Sequence, residues 1–249
     1  MPMGWSAPAL GNVPKKGTLG LARFFVLATQ CVHLMPAFAF PPYRSTDADT
    51  ADPYTLELRV GLGKVEQERD ETEILTPLLR TNFGLPNNIE LISEFEYVPK
   101  EGELGDGAMG VKWVSFHGAL SFGIETLALL PVRSGDDGVG VESQLLATFW
   151  SNRVRLHVNA GGSHDARISP AEDGWRASVL AELPRESYRP GVELFAKEVE
   201  NAPADVRAGA GLIYDVGSFD IRAGLHAGLT DTAPDVSLSL WITTKLPFR

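Results

Sequence analysis

The residues able to do chemistry in this chain fall into two sets along the sequence. Glu90, Glu94, Glu96, Glu125 and Glu142 gather in its earlier part, while Arg153, Arg155, Arg176, Arg207 and Arg222 follow on later segments. Lys112, His157, Glu193 and His226 lie among them. On strands, these side chains share one face, and two walls of opposite charge would impose a transverse field on a passing polar solute. The alternative is that they pair with one another into a closed ionic core. Catalysis finds little support. A His–Ser pair on a strand must stand two residues apart to share a proton, and none of His33, His117, His157, His164 and His226 is in a His-x-Ser pattern. His164 follows Ser163 directly, so the two point to opposite sides. His164-Asp165 and Asp136-Asp137 lack the ligand spacing of a calcium site. Gly105-Asp106-Gly107 is followed by no P-loop Lys-Ser/Thr. The sequence therefore offers no catalytic residue, no cofactor motif and no metal-ligand set.

The elements that must position these charges are strands. From residue 54 to Phe248 apolar and polar residues alternate, as in Asp205-Val206-Arg207-Ala208-Gly209-Ala210-Gly211-Leu212 and again in Asp220-Ile221-Arg222-Ala223-Gly224-Leu225. The pattern predicts twelve strands, over 54–67, 71–83, 89–98, 107–116, 119–132, 139–150, 153–163, 174–183, 190–199, 204–215, 218–229 and 235–248. Tight connections such as His117-Gly118, Ser151-Asn152 and Val216-Gly217 alternate with longer polar ones such as Pro99–Gly105, Asp165–Asp173 and Glu200–Ala204. Strand glycines, Gly161-Gly162 among them, suit curvature or the close approach of a loop.

Residues 1–39 read as a cleaved signal peptide. Lys15, Lys16 and Arg23 precede an apolar stretch from Phe24 to Met35, and Ala37-Phe38-Ala39 has the small-x-small form of a cleavage site. A membrane anchor over Leu19–Met35 is the other reading, short and interrupted by Arg23 and Gln30. The only cysteine, Cys31, falls here, after a Gln30 that suits lipid attachment poorly. Removal of this segment takes three basic residues and no acid, moving the formal charge from −10 to −13. So acidic a chain has no basic stripe for nucleic acid. Residues 40–53, rich in Pro, Asp and Thr, are expected to form a periplasmic lead-in, leaving 54–249 as one domain.

Alternation alone does not say which face is inside. A soluble sandwich or lipocalin-like binder buries its apolar face, whereas a transmembrane barrel turns it to lipid. The sets Met109, Val111, Trp113; Leu120, Phe122, Ile124; and Phe219, Ile221, Ala223, Leu225 are modest in bulk. Aromatics concentrate near segment ends, as Tyr97, Phe116, Trp150, Trp175 and Tyr214 do, where an interfacial girdle would lie. The chain closes on Leu246-Pro247-Phe248-Arg249, an aromatic near the end of an amphipathic strand of the kind barrel-assembly machinery reads. The expected fold is an all-β antiparallel transmembrane barrel of about twelve strands.

Two stretches carry a family resemblance. Asn82-Phe83-Gly84-Leu85 through Ile89-Glu90-Leu91 to Glu96-Tyr97, and then Gly102-Glu103-Leu104-Gly105-Asp106-Gly107-Ala108-Met109-Gly110-Val111-Lys112-Trp113, resemble the MetA-pathway phenol-degradation family. Leu129-Leu130-Pro131 before Ser134-Gly135-Asp136-Asp137-Gly138, and Val158-Asn159-Ala160-Gly161, fit its later motifs. Val132-Arg133 departs from the Thr-Gly more usual after that proline. The resemblance spans roughly residues 75–248 and implies an outer-membrane barrel that takes up small compounds, aromatic ones among them.

The expectation is thus an exported, non-enzymatic outer-membrane channel for passive uptake of small aromatic or hydrophobic solutes. Its expected partners are outer-membrane lipid, the barrel-assembly machinery and the solute. The alternatives are a closed-lumen barrel serving as a surface or structural protein, or a soluble periplasmic binder.

Overall fold

The computed structural model describes residues 41–68, 71–75 and 77–248, so the expected leader, like Arg249, lies outside the described residues. Thirteen strands appear among them. They are β1 (Thr55–Glu68), β2 (Glu71–Leu75), β3 (Leu78–Leu85), β4 (Ile89–Val98), β5 (Glu103–Phe116), β6 (Leu120–Leu129) and β7 (Gly140–Trp150), followed by β8 (Arg155–Asp165), β9 (Glu172–Glu182), β10 (Tyr188–Val199), β11 (Asp205–Asp215), β12 (Phe219–Gly228) and β13 (Val236–Pro247). Each pairs antiparallel with its sequence neighbours, except that β1 pairs with both β2 and β3. β13 returns to β1, from Thr55↔Pro247 to Gln67↔Val236, and closes the sheet.

The barrel has twelve staves, because β2 and β3 together make the second. The sequence predicted one strand over 71–83. The ladder to β1 instead breaks between Lys64↔Leu75 and Gly61↔Leu78, where Pro77 brings no N–H to the sheet. β5 also begins earlier than expected, at Glu103, and carries the Gly105-Asp106-Gly107 triplet on the strand itself. Short turns, 117–119 and 216–218 among them, crowd one end together with both ends of the barrel chain. The longer connections, including 130–139 and 229–235, crowd the other.

Closure decides the inversion that alternation left open. Met109, Val111, Trp113, Phe122, Leu145, Val192, Leu225 and Leu240 point outward and are exposed, while Glu57, Arg59, Arg80, Lys112, Glu125 and Arg222 point inward and are buried. A soluble sandwich would reverse these faces. An apolar surface running round a whole barrel far exceeds what a water-soluble monomer exposes, and lipid is the solvent that accommodates it. Inside, apolar residues form only small clusters, one of Tyr43, Leu180 and Ile213 and another of Ile92, Ala108 and Leu127.

Candidate functional site

Residues 41–52 run inside the barrel, which corrects the lead-in expected outside it. The chain follows the inner wall from β12 round to β3 before turning into β1. Arg222 Nη1 donates to the Pro41 carbonyl at 3.1 Å. Glu193 on β10 accepts from the Arg44 amide at 2.9 Å and from the Ser45 amide and hydroxyl, each at 2.5 Å. Asn159 on β8 makes a two-way clasp with Thr46, its Oδ1 accepting the amide at 2.8 Å and its Nδ2 donating to the carbonyl at 2.9 Å. Thr148 on β7 then receives the Ala48 amide at 2.8 Å, and Glu90 on β4 the Ala51 amide at 2.6 Å. Without these acceptors the segment's peptide groups would be buried and unpaired, at a cost of about 1–3 kcal/mol each.

Strand glycines make room for this path. A Cβ on Gly211 would stand 2.7 Å from the Tyr43 ring, and one on Gly224 would stand 2.7 Å from Pro42. Gly191 likewise faces Tyr43, and Gly84 faces the carbonyls of Ala51 and Asp52. Of the two roles the sequence suggested for strand glycines, close approach of a segment is the one seen at these four.

The charges form a paired network, not two opposed walls. Arg80 sits among the acids, 2.6 Å from Glu94 and 3.5 Å from Glu125. Lys112 reaches Asp47 at 3.5 Å, Glu90 at 3.6 Å and Glu125 at 4.0 Å. Arg176 meets Glu142 at 2.5 Å, and Arg207 forks onto Asp205 at 2.6 and 2.8 Å. His226 lies 2.8 Å from Glu193, and His157 lies 3.3 Å from Glu182. Buried ions persist only when paired in this way. The segregated field read from the sequence is therefore neutralised locally, and Arg59, Arg80 and Arg222 are at most 2 % exposed. An open water-filled lumen would leave them wet.

Of the predicted lining residues, Glu90, Glu94, Glu96, Lys112, Glu125, Glu142, Arg155, His157, Arg176, Glu193, Arg207, Arg222 and His226 face inward, with Arg155 half-buried at the short-turn end. Arg153 does not. It lies exposed in the β7–β8 turn, where period-two reasoning no longer applies because the strand begins only at Arg155. Missed were Glu57, Arg59, Arg80, Asn82, Thr148, Asn159 and the segment itself. The pairs Glu57/Arg59 and Arg80/Asn82 stand two apart on predicted strands, so their shared face was legible. Nothing in the alternation of residues 41–52 marks them as lumenal.

Outside the segment, toward the long loops, a cavity of about 370 Å³ remains. Pro41, Pro42 and Arg44 contribute to it from the segment, while Leu127, Leu129 and Trp241 give it an apolar side and Glu94, Glu142 and Arg176 a charged one. Arg44 and Arg176 lie 5.3 and 5.4 Å over the Phe195 ring, which is thereby covered. The lining suits an amphipathic molecule better than an ion. Asp49, which precedes the first strand and lies 3.8 Å from His117 of the β5–β6 turn, is pushed up to about 7 by burial and by Asp47. Among the described residues no cluster of His, Cys, Asp and Glu has metal-binding geometry.

A closed antiparallel barrel of twelve staves, apolar outside and charged within, has the architecture of outer-membrane porins. Three solved structures share it. The NanC porin superposes with a TM-score of 0.60 at 9 % identity, over 77 % of this chain and 100 % of that one. The COG4313 outer membrane channel from Pseudomonas putida F1 gives 0.60 at 10 %, over 80 % and 98 %. The KdgM porin gives 0.56 at 11 %, over 78 % and 99 %. At these identities the likeness is one of fold. No protein-family model matches the chain, and no curated protein matches it.

Proposed function

We propose that this protein is a gated outer-membrane channel for small amphipathic or aromatic solutes, held closed here by residues 41–52. The observation that carries the reading is the segment's seat. Its backbone is hydrogen-bonded to side chains of seven staves, β4, β5, β7, β8, β9, β10 and β12, with a partly apolar cavity directly beyond it. A solute entering from the long-loop end would rest in that cavity until the segment moves. The short-turn end then faces the periplasm, as in barrels whose external loops are the longer ones. The fold shared with porins and an outer-membrane channel supports this reading, as does the resemblance to the MetA-pathway family. No covalent chemistry is required, since passage follows a gradient.

The test is single-channel conductance of the refolded mature chain in a planar bilayer. A cysteine pair, Ala48→Cys with Thr148→Cys, joins segment to wall where their hydrogen bond is 2.8 Å, and a chain processed after Ala39 carries no other cysteine. Current steps that vanish on oxidation and return on reduction support the gate. Folded, inserted protein that passes neither ions nor small aromatic solutes, locked or unlocked, overturns it. That outcome would favour the second reading, a permanently closed barrel acting through its loops, for which the buried ionic network speaks.

A further inference from the structure

The cavity beyond the lumenal segment opens to the long-loop end, where Asp106 and Lys197 on its rim are half-exposed. Strand register builds its wall on β4 to β7. Glu94 stands opposite Ala108, Ala108 opposite Leu129, and Leu127 opposite Glu142. All five point inward, so an apolar patch on β5 and β6 has a carboxylate on either side. Three strand spacings, about 14 Å along the wall, separate the two carboxylates, too far for them to share a metal ion.

The unspent hydrogen-bonding capacity of this wall is that of acceptors. Glu94 gives Oε2 to Arg80 Nη1 at 2.6 Å, and Glu142 gives Oε1 to Arg176 Nη1 at 2.5 Å. Among the described residues, the second oxygen of each takes no hydrogen bond. The cations, by contrast, are committed. The three guanidinium nitrogens of Arg80 donate to Asn82, Glu94 and Glu125, and Arg176 also donates to the Arg44 carbonyl and covers Phe195. Exposure follows the same order, the Glu94 side chain being 34 % exposed above an Arg80 that is 2 % exposed. A solute in the cavity meets the acid before the base.

The charge count agrees. Six carboxylates line the cavity against four lysine and arginine side chains. Following the ion pairs outward does not restore balance, since each further cation brings an acid with it. Lys112 serves Asp47 and Glu90 besides Glu125, and Arg167 serves Asp165 besides Asp106. Arg207 serves Asp205, and His226 leans on Glu193. Among the described residues the place stays acidic.

We propose that this cavity selects amphipathic monocations, a primary ammonium carried on an aromatic or aliphatic body. The proposal rests on the reading of the cavity as the place where a solute waits. The body lies against Leu127, Leu129 and Trp241, and the ammonium donates to the unengaged oxygen of Glu94, with Glu142 as the second carboxylate in the wall. An ammonium brings both donors and positive charge, which are the two things this wall lacks. An alcohol of the same shape brings the donor without the charge. A carboxylate of that shape finds committed cations and a repulsive field.

The experiment is equilibrium dialysis of radiolabelled phenethylamine, near neutral pH, against the refolded mature chain in neutral detergent at fixed ionic strength. Uptake by protein-free micelles is subtracted, and heat-modifiable migration verifies the fold of each variant. Saturable binding at one site is expected. Phenethyl alcohol removes the charge, hydrocinnamate reverses it and methylammonium removes the body, so each should compete roughly tenfold or more weakly than unlabelled phenethylamine. Glu94→Gln should weaken binding roughly tenfold or more, the loss of one charge-assisted contact, and Leu129→Ala several-fold. Glu186→Gln, in the β9–β10 turn, should leave it unchanged. Absence of saturable binding overturns the proposal, as does unchanged affinity in a folded Glu94→Gln protein. Equal competition by the alcohol or by hydrocinnamate reassigns the cavity to aromatic bodies of any charge, and equal competition by methylammonium reduces it to an acidic patch; each refutes an amphipathic-cation site. Binding is read without conduction. A chain that binds but never conducts overturns the gate alone, and one that conducts but does not bind overturns this site alone.

Discussion

Replacing Glu193 with Ala should release the lumenal segment while leaving the barrel closed as a barrel. The Glu193 side chain accepts from the Arg44 amide, the Ser45 amide and the Ser45 hydroxyl, and it also meets His226. Each hydrogen bond to a charged group contributes about 1.5–3 kcal/mol, and the three donors are not additive, so a loss of about 3–4 kcal/mol in seating is reasonable. That shifts the seated-to-released ratio by roughly 100- to 1,000-fold. The ladder from β9 through β10 to β11 is made by backbone and persists without the side chain. In planar bilayers, the Glu193→Ala chain should open far more often than the wild type at equal insertion. Glu193→Gln, which keeps one acceptor oxygen, should fall between them. A folded, inserted Glu193→Ala protein whose openings are as rare as the wild type's would refute the claim that these bonds hold a gate.

Opening should also depend on pH through Asp49. Its carboxyl is held at about 7 in the seated segment against an ordinary 3.8, so the seated state keeps a proton that the released state gives up. Seating is then strongest at low pH and weakens as pH rises from about 4 through 7, with no further change above. Conductance at pH 8 should exceed that at pH 5.5, and Asp49→Asn should abolish the difference. Gly84→Ala should unseat the segment's end, since the added methyl meets the fixed carbonyls of Ala51 and Asp52; overpacking of this kind costs about 1–3 kcal/mol, and limited proteolysis near residue 50 should accelerate. On the outer face, Leu225→Arg should lower folding stability in lipid vesicles by about 2–4 kcal/mol in urea titrations, whereas Ser239→Arg on the inner face should not.

Period-two alternation was enough to place nearly every strand, because adjacent residues of an extended chain must point to opposite faces. Met109/Val111/Trp113 were read as one face and Lys112 as the other before any tertiary fact. The same rule failed at Arg153, which lies in a turn, and at Pro77, where a missing donor splits a stave. Alternation has no sign, however. Whether Trp113 or Lys112 faced inward was decided only when β13 closed onto β1, since closure alone creates an inside. Pairing was equally hidden. Arg80 and Glu125 stand 45 residues apart and meet because the staves between them curve through the sheet. Residues 41–52 carry no periodic pattern, and their place in the lumen follows from acceptors on β4, β7, β8 and β10 that only the closed barrel assembles around them. Strand and face are local properties of the chain; inside, partner and plug are properties of the closed surface.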